Sequence, residues 1–250
     1  MVFQRLRVPK ASELMAQRLR TGILVGELPQ GTALPSEKEL MAQLGVSRAT
    51  VREGLRLLEA EGLITTRPGR GGGATVCRPG PAAHTRSLAL LLQFDGTTLG
   101  DLLEARRAVE PFCGRLAAER ATPSELAELQ ATLGQLSELV DDGAAYLATQ
   151  ARFHVLIAYA AHNPVLRIYA PSLAELICQQ IEAVPFTRDD LATGVASCAS
   201  ILEGIEQRDP DRAERRILRH LGAIEEAIVR LGGRLDGRSS EMLALVGRLT

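Results

Sequence analysis

Residues 34–76 read LPSEKELMAQLGVSRATVREGLRLLEAEGLITTRPGRGGGATV. This stretch contains two helix-forming segments separated by a glycine, followed by two short strand-forming segments with an arginine- and glycine-rich tip between them. Ser36 and Glu39 form an S-x-x-E capping box, which predicts that a helix begins after Pro35. Gly45 predicts the end of that helix, because glycine takes the left-handed conformation at low steric cost.

A second helix is predicted directly after this glycine. Ser47 is a suitable N-cap, and Val51, Leu55 and Leu58 recur on one face at helical spacing. Gly62 predicts the end of the second helix. The remainder reads as a wing, with a strand over 63–66, a tip over 67–73 and a return strand over 74–76. The pattern as a whole predicts a winged helix-turn-helix.

The second helix and the wing carry charge that suits a polyanion. The first turn of a helix offers free backbone N–H groups and a positive dipole end, both of which favour phosphate. Arg48 and Arg52 lie one turn apart and are long enough to reach guanine edges or backbone oxygens. Arg67 and Arg70 add positive charge at the wing. These features predict a DNA-reading module; the alternative is a small helical domain with a solvated basic face.

The charge of the chain is divided between its two parts. Residues 1–80 contain 12 Lys+Arg and 7 Asp+Glu, whereas residues 81–250 contain 17 and 23. The basic part suits DNA and the acidic part does not. We expect a winged domain over 1–77, a linker over 78–84, a helical domain over 85–232 and a tail over 233–250.

The remaining composition indicates a soluble cytoplasmic protein with no membrane partner. The basic N-terminus lacks the apolar core of a signal peptide, and no run reaches the roughly 18 apolar residues of a membrane span. The cysteines are scattered without a CxxC pair, which argues against a disulfide framework. They are Cys77, Cys113, Cys178 and Cys198.

The chain is mainly α in its predicted structure. An amphipathic helix is expected at 11–25, and Thr122 and Asn163 are candidate N-caps before prolines. Short connections predict an antiparallel bundle. Its helices are expected near 85–93, 99–120, 123–141, 144–161, 164–184, 188–207 and 210–231. The tail is weakly patterned, with one more short helix as a candidate at 241–249.

Residues 8–76 resemble the winged helix-turn-helix of the GntR family of bacterial regulators, through LPSEKEL, MAQLGVSRATVRE, EGLI and GRGG. Residues 85–231 resemble the FCD effector domain of the FadR-type subgroup. The motifs are DLLEARRAVEP (101–111), LAAERAT (116–122), RFHVLIAYAAHNP (152–164) and ILEGIEQRDPDRAERRILRHL (201–221). The resemblance implies a homodimeric transcriptional regulator, with repression favoured. Two winged domains would read an inverted repeat, and a metabolite in each helical domain would alter DNA affinity.

The resemblance also implies particular DNA contacts. Lys38 stands where arginine is common, so the charge is kept but the bidentate fork is lost. Ala49 stands where some members have a hydroxyl residue, so one polar contact is absent. The contacts carried over by position are Lys38, Ser47, Arg48, Ala49, Arg52 and Gly69, to which the charge of the wing adds Arg67 and Arg70.

Many FCD domains hold a divalent metal through one Asp and three His, and this chain departs from that pattern. Gln150 stands at the position of the Asp and Cys198 at the second His, while His154 and His220 are kept. Without a carboxylate the set is poorer for a hard cation, but imidazole and thiolate suit zinc. Zinc or another divalent metal is therefore a candidate, although cysteine is shorter than histidine and its sulfur has further to reach. The alternative is that both histidines are buried, hydrogen-bonded polar residues.

The effector is expected to be a small carboxylate, with Arg106 as its charged partner. An acyl thioester is the alternative, because the bundle is rich in Leu and Ala. Arg106 could instead form an ion pair with Glu110 at i, i+4 spacing. No general base lies beside the metal candidates in sequence, so a metal-dependent hydrolase is disfavoured and the chain is predicted not to be an enzyme. The expected effector site comprises Arg106, Gln150, His154, Cys198 and His220.

Overall fold

The computed structural model describes residues 9–67, 69, 73–78 and 81–236, without the side chains of 81–84. The chain divides into two compact units, 1–83 and 84–250, and the division falls inside the expected linker. The prediction of a mainly helical chain with a small wing is confirmed. Helix α4 begins at Pro81, so part of the segment expected as a linker is helical. The helix considered at 241–249 lies outside the described residues.

The elements of the first unit follow the sequence prediction closely. They are α1 (Ala11–Leu24), α2 (Glu37–Leu44), α3 (Arg48–Ala60), β1 (Ile64–Arg67) and β2 (Gly73–Val76). At the start of α2 the backbone N–H of Ser36 donates to Glu39 Oε2 at 2.8 Å, and the backbone N–H of Glu39 donates to Ser36 Oγ at 3.3 Å. Gly45 ends α2 with φ of 66°. The capping box and the glycine turn are therefore confirmed.

The core of the first unit forms on the predicted face of α3. Val51, Leu55 and Leu58 are buried together with Met15 of α1 and Leu40 of α2. Removing this apolar surface from water is the main stabilising contribution available to so small a unit. The same packing directs the opposite face of α3 outward.

The wing is an antiparallel pair whose register runs from Ile64↔Val76 to Arg67↔Gly73. Strand β1 lies one residue later than predicted. Ala33 also bridges to Thr75, so the segment before α2 pairs with the return strand. Sequence pattern did not predict this bridge, because backbone pairing between separated segments has no signature in residue type.

The helices of the second unit form the expected bundle. They are α4 (Pro81–Phe94), α5 (Leu99–Arg120), α6 (Pro123–Glu138), α7 (Gly143–Ala160), α8 (Leu166–Ile181), α9 (Arg188–Glu206) and α10 (Pro210–Arg230). Helix α5 contacts α7, α8, α9 and α10, and so lies at the centre. The core is mostly leucine, isoleucine and alanine, with Tyr146 and Phe153 as its largest fully buried side chains. Within the described ranges, no helix is both long and apolar enough to cross a bilayer.

One helix end agrees with expectation and another differs from it. Thr122 caps α6 with Pro123 in its first turn, as predicted. Asn163 accepts hydrogen bonds from the backbone N–H groups of Val165 and Leu166, but α8 begins only at Leu166. A turn over 164–165 precedes the helix, so Asn163 caps that turn, and the helix is shorter than predicted.

The close approach of α9 and α10 depends on one glycine. A Cβ atom added to Gly204 would lie 3.0 Å from the backbone nitrogen of Ala213, whereas one added to Gly134 of α6 would meet nothing within 4 Å. We expect Gly204→Ala to lower the free energy of unfolding by about 1–3 kcal/mol, because backbone cannot move aside as a side chain can. Gly134→Ala should raise it by up to about 1 kcal/mol. Urea unfolding measures both, and equal effects would contradict the tight α9–α10 packing.

Candidate functional site

The predicted DNA-contacting residues of the first unit lie on its surface. Ser47, Arg48, Ala49 and Arg52 are exposed along the beginning of α3, and Lys38 is exposed on α2. Ser47 is also the N-cap, since its Oγ accepts from the backbone N–H of Thr50 at 3.2 Å. The sequence therefore places this group of side chains at the helix end that best accommodates an anion.

A carboxylate lies between Arg48 and Arg52 of α3. Glu37 approaches Arg52 Nε at 3.3 Å through Oε1 and Arg48 Nε at 3.9 Å through Oε2. The arginine side chains remain 67% and 64% exposed, for Arg48 and Arg52 respectively. Surface ion pairs of this kind contribute about 0–1 kcal/mol, so a phosphate or guanine can displace the carboxylate. Sequence reasoning did not identify Glu37.

The wing borders the same groove as α3. Arg67 is exposed at the end of β1, and Gly69 has φ of 108°, a backbone conformation that favours glycine. A groove of about 590 Å³ is lined by Arg52, Arg67 and Gly69 among others. Arg70 lies outside the described residues. Within the described part of the wing, the structure therefore brings charged and glycine positions together beside α3.

The residues expected to form the effector site converge inside the second unit. Nε2 of His154 lies 3.1 Å from Nε2 of His220, and Nε2 of Gln150 lies 3.5 Å from the same atom of His220. The ligand atoms of His154, Cys198 and His220 all lie within 4.8 Å of one another. The sulfur of Cys198 therefore lies near the two imidazoles. Each of Arg106, Gln150, His154, Cys198 and His220 is less than 8% exposed.

Glu110 also contacts this cluster. The sequence analysis considered its pairing with Arg106 but did not predict its contact with His154. Its Oε1 accepts from Arg106 Nε at 2.7 Å, so the i, i+4 pair considered for Arg106 is present. Its Oε2 lies at the ion-pair distance of 2.8 Å from Nδ1 of His154 but does not form a hydrogen bond of good geometry. A carboxylate beside Nδ1 favours the tautomer with the proton there, which leaves a lone pair on Nε2 facing His220.

Burial and charge determine the protonation states in the cluster. Burial alone would raise the pKa of Glu110, but the charge of Arg106 and the contact with His154 outweigh it and lower that pKa to about 2. Burial lowers the pKa of His154 and, with further repulsion, holds that of His220 well below its ordinary value. Near neutral pH the glutamate is ionised and both imidazoles are neutral. Burial also raises the pKa of the Cys198 thiol to about 12.

The donor set fits zinc. Two nitrogen ligands that each lie about 2.0–2.1 Å from one tetrahedral zinc ion are about 3.3–3.4 Å apart. The two imidazole nitrogens, at 3.1 Å, are close to that separation. Neutral imidazole is the form that binds metal, and a coordinated thiol loses its proton despite a high free pKa. The carboxylate behind His154 is the kind of partner that orients a histidine ligand.

A cavity of about 230 Å³ lies beside the cluster, bounded by α7, α9 and α10. Gln150 and His220 line it next to the cluster, and Asp190, Glu226 and Arg230 contribute charge elsewhere on its wall. Arg106 borders a separate cavity of only about 10 Å³. In the described structure the arginine is thus connected to the cluster through Glu110. Apolar side chains complete the larger cavity: Leu147, Ile181, Phe186, Leu191 and Ile224.

Both units match known families. The model of "Bacterial regulatory proteins, gntR family" matches residues 11–73, and the FCD domain model matches residues 101–223. A repressor of Salmonella newport (strain SL254), "HTH-type transcriptional repressor NanR", is 30% identical over 228 residues, which cover 89% of this chain and 87% of the relative. This chain belongs to the GntR family. Its family, its fold and its identity as a regulator rather than an enzyme are as the sequence predicted.

Two further comparisons agree with GntR membership. The repressor of the same name from Salmonella typhi is also 30% identical, over 89% of this chain and 86% of the relative. The solved structure described as "Streptococcus agalactiae GntR" has a TM-score of 0.68 at 25% identity, and the match covers 86% of this chain and 99% of that one. Both matches extend over most of this GntR-family chain.

The buried ion pair of this GntR-family chain yields a direct stability test. Glu110→Gln leaves the guanidinium of Arg106 buried without its counter-charge, and we expect it to lower the free energy of unfolding by about 3–5 kcal/mol at pH 7. Glu128→Gln breaks an exposed pair with Arg152 and should lower it by less than about 1 kcal/mol. Denaturant unfolding compares the two.

The same variant has a characteristic pH dependence. Because the pKa of Glu110 is lowered from 4.5 to about 2 on folding, its contribution is present above pH 4.5 and lost as the pH falls towards 2. The difference in stability between wild type and Glu110→Gln should be constant near neutrality and shrink below about pH 4.5. A difference that persisted unchanged at low pH would contradict the ionised state assigned to this carboxylate.

Proposed function

We propose that this chain is a ligand-responsive repressor that binds a palindromic operator as a homodimer and changes its DNA affinity when a small carboxylate enters the FCD domain. The observation that supports DNA reading most directly is the exposed beginning of α3, with Arg48 and Arg52 free to exchange Glu37 for a nucleic acid. Membership of the GntR family supports the same conclusion.

In the proposed DNA interface, different groups contact the phosphates and the base edges. The backbone N–H groups at the start of α3 and the hydroxyl of Ser47 face phosphate, which fixes the register on the duplex. Arg48 and Arg52 reach base edges in the major groove, where arginine recognises guanine bidentately. The wing supplies further backbone contacts. The full proposed set is Lys38, Ser47, Arg48, Ala49, Arg52, Arg67, Gly69 and Arg70.

The proposed dimer matches the two-fold symmetry of a palindromic operator. One winged module covers a single half-site, and a palindrome matches two-fold protein symmetry. The second unit exposes large apolar side chains, of which Phe94 on α4 is 84% exposed; Leu91 on the same helix, and Val165, Ile168 and Tyr169 at α8, are also exposed. Apolar surface of this kind is suited to a second copy of the chain.

The cavity favours a small effector. At about 230 Å³ it is smaller than the roughly 300–1,000 Å³ of typical ligand pockets, which supports a small carboxylate over an acyl thioester. We propose that His154, Cys198 and His220 hold zinc beside the cavity, with Gln150 as a neutral neighbour. Zinc would supply the positive charge that attracts a carboxylate. Arg106 then acts indirectly, by holding Glu110 against His154.

The DNA proposal is tested with Arg48→Ala and Arg52→Ala. We expect each to weaken binding to a palindrome by about 1–3 kcal/mol, because a bidentate base contact is lost. Arg188→Ala removes an exposed arginine of α9 and should leave binding unchanged. Fluorescence anisotropy measures affinity for the palindrome selected from a random duplex pool, at several salt concentrations.

Wild-type affinity should fall steeply with salt, since each phosphate contact releases counterions, and two chains should bind each palindrome. Unchanged affinity in both α3 variants would contradict the recognition helix. Selection that enriched no sequence would contradict a sequence-specific regulator altogether.

The zinc proposal is tested on protein stripped with a chelator. Zinc should bind at one ion per chain and raise the unfolding midpoint, because a ligand that binds only the folded state stabilises that state. At a free zinc concentration of 100 times the Kd, the free energy of unfolding rises by about 2.7 kcal/mol. Cys198→Ser and His220→Gln should each abolish most of this gain, whereas Cys178→Ser, outside the cluster, should retain it. If wild type took up no zinc, the two histidines would be a hydrogen-bonded pair in the core.

A further inference from the structure

Glu59, near the end of α3, is bonded to the first strand of the wing. Its Oε1 accepts a hydrogen bond from the backbone N–H of Thr66 in β1 at 2.9 Å, and a second hydrogen bond from the hydroxyl of the same residue. Both residues are exposed. One carboxylate oxygen therefore joins the helix and the strand that together border the proposed DNA interface.

The N–H group of Thr66 lies on the open edge of the wing. The backbone N–H of Cys77 donates to the carbonyl oxygen of Leu63 across the strand pair. Along an antiparallel strand, successive N–H groups point alternately towards the partner strand and away from it, so that of Thr66 points away from β2. An edge N–H group of this kind is ordinarily left to solvent. Here the carboxylate of Glu59 accepts from it.

Apolar packing fixes only the first residue of β1. Ile64 is buried, whereas Thr65, Thr66 and Arg67 are exposed. The position of these three residues relative to α3 therefore depends on hydrogen bonds. The bonds across the wing hold β1 to β2, and the two bonds to Glu59 hold β1 to the helix.

The charge of Glu59 is unfavourable for DNA binding. Glu59 lines the groove of about 590 Å³ together with Arg52, Arg56 and Arg67. A carboxylate in this groove repels the phosphates of a duplex, so its charge by itself weakens binding. The charge and the hydrogen bonds of this side chain therefore affect DNA affinity in opposite directions, and an experiment can separate the two.

We propose that Glu59 is a positioning residue, which acts on DNA through Thr66 by holding Arg67 and the wing in place beside α3. The inference rests on the proposed function in one respect, that α3 and the wing contact the same duplex. A wing that is already ordered loses little conformational freedom when it meets DNA. A wing released from Glu59 must be ordered during binding, which lowers the affinity.

The test compares Glu59→Gln with Glu59→Ala in the full-length protein. Both variants lose the charge, but the amide oxygen of glutamine still accepts from Thr66, and alanine has no acceptor there. Glutamine and alanine both favour a helix, so α3 is retained. Glu53 on the same helix provides the matched control, because its carboxylate lies 4.0 Å from Nζ of Lys10. Fluorescence anisotropy measures affinity for the palindrome selected with wild type, at several salt concentrations.

Glu59→Gln should bind the palindrome at least as tightly as wild type, since a repulsive charge is removed and the contact with Thr66 is kept. Glu59→Ala should bind about threefold or more weakly than Glu59→Gln, as expected for at least one lost hydrogen bond. Its affinity should also fall less steeply with salt, because the wing makes fewer phosphate contacts. Glu53→Gln and Glu53→Ala should match each other. Glu59→Ala binding as tightly as Glu59→Gln would overturn the proposal.

A double-mutant cycle with Arg67→Ala separates positioning from a general loss of structure. In the Glu59→Gln background, Arg67→Ala removes a contact made by an ordered wing. In the Glu59→Ala background that contact is already weakened, so the same substitution should lower the affinity by a smaller factor. An equal factor in both backgrounds would show that the two residues act independently and would overturn the positioning role.

Hydrogen exchange in the free protein tests the contact without DNA. Because Glu59→Ala deprives the Thr66 N–H of its acceptor, a peptide that covers β1 should exchange about one more amide hydrogen at short times than in wild type or Glu59→Gln. Equal exchange in all three proteins would overturn the proposed contact. Failure of wild type to bind any selected duplex would count against the proposed DNA interface, and the exchange result would still decide whether Glu59 holds the wing.

Discussion

The carboxylate of Glu110 is the constraint on which the polar interior of the second unit depends. One oxygen accepts from Arg106 and the other faces His154, so a buried positive charge and a ring orientation are fixed by the same side chain. With Nδ1 of His154 directed to the carboxylate, Nε2 faces His220 and the sulfur of Cys198 lies within reach. A neutral pair of imidazoles beside a thiol is then available to a cation, and the cavity lies directly beside it. Under the zinc proposal, the carboxylate of Glu110 behind His154 would supply the negative charge that the amide of Gln150 lacks.

The charged side chains of α3 in the first unit are exposed and weakly paired, unlike those inside the second unit. Its apolar face is buried, its basic face is exposed, and Glu37 holds Arg48 and Arg52 only loosely. Because surface ion pairs are weak, the two guanidinium groups can exchange this carboxylate for another anion at little free-energy cost. The buried pair of Arg106 and Glu110 in the second unit is therefore a permanent part of the structure. The exposed pairs of Glu37 in the first unit are easily broken, as reversible recognition of a partner requires.

Much of the fold could be predicted because local rules were sufficient. Ser36, Glu39, Gly45 and Ser47 place the helix-turn-helix, and the apolar spacing of α3 gives its buried face. The helices of the bundle were predicted to within a few residues at their ends. Local rules failed where separated segments pair or a turn precedes a helix, as at Ala33 beside the return strand and at Asn163 before α8. Backbone pairing across distant segments depends on geometry rather than on residue type.

The sequence by itself determined the two-part organisation, the GntR-family DNA module and the convergence of Gln150, His154, Cys198 and His220. The first two follow from motifs in which residue type and spacing carry the chemistry, and the third was implied by the resemblance to the FCD domain. Only the tertiary structure decided that Glu110 rather than solvent partners Arg106 and that the hydroxyl of Tyr146 packs against Gly194. It also decided that the cavity runs along α7, α9 and α10. The reason is that contacts between side chains on different helices depend on the crossing angles of the helices and on the space left by neighbouring side chains. Neither can be read from the sequence of a single helix.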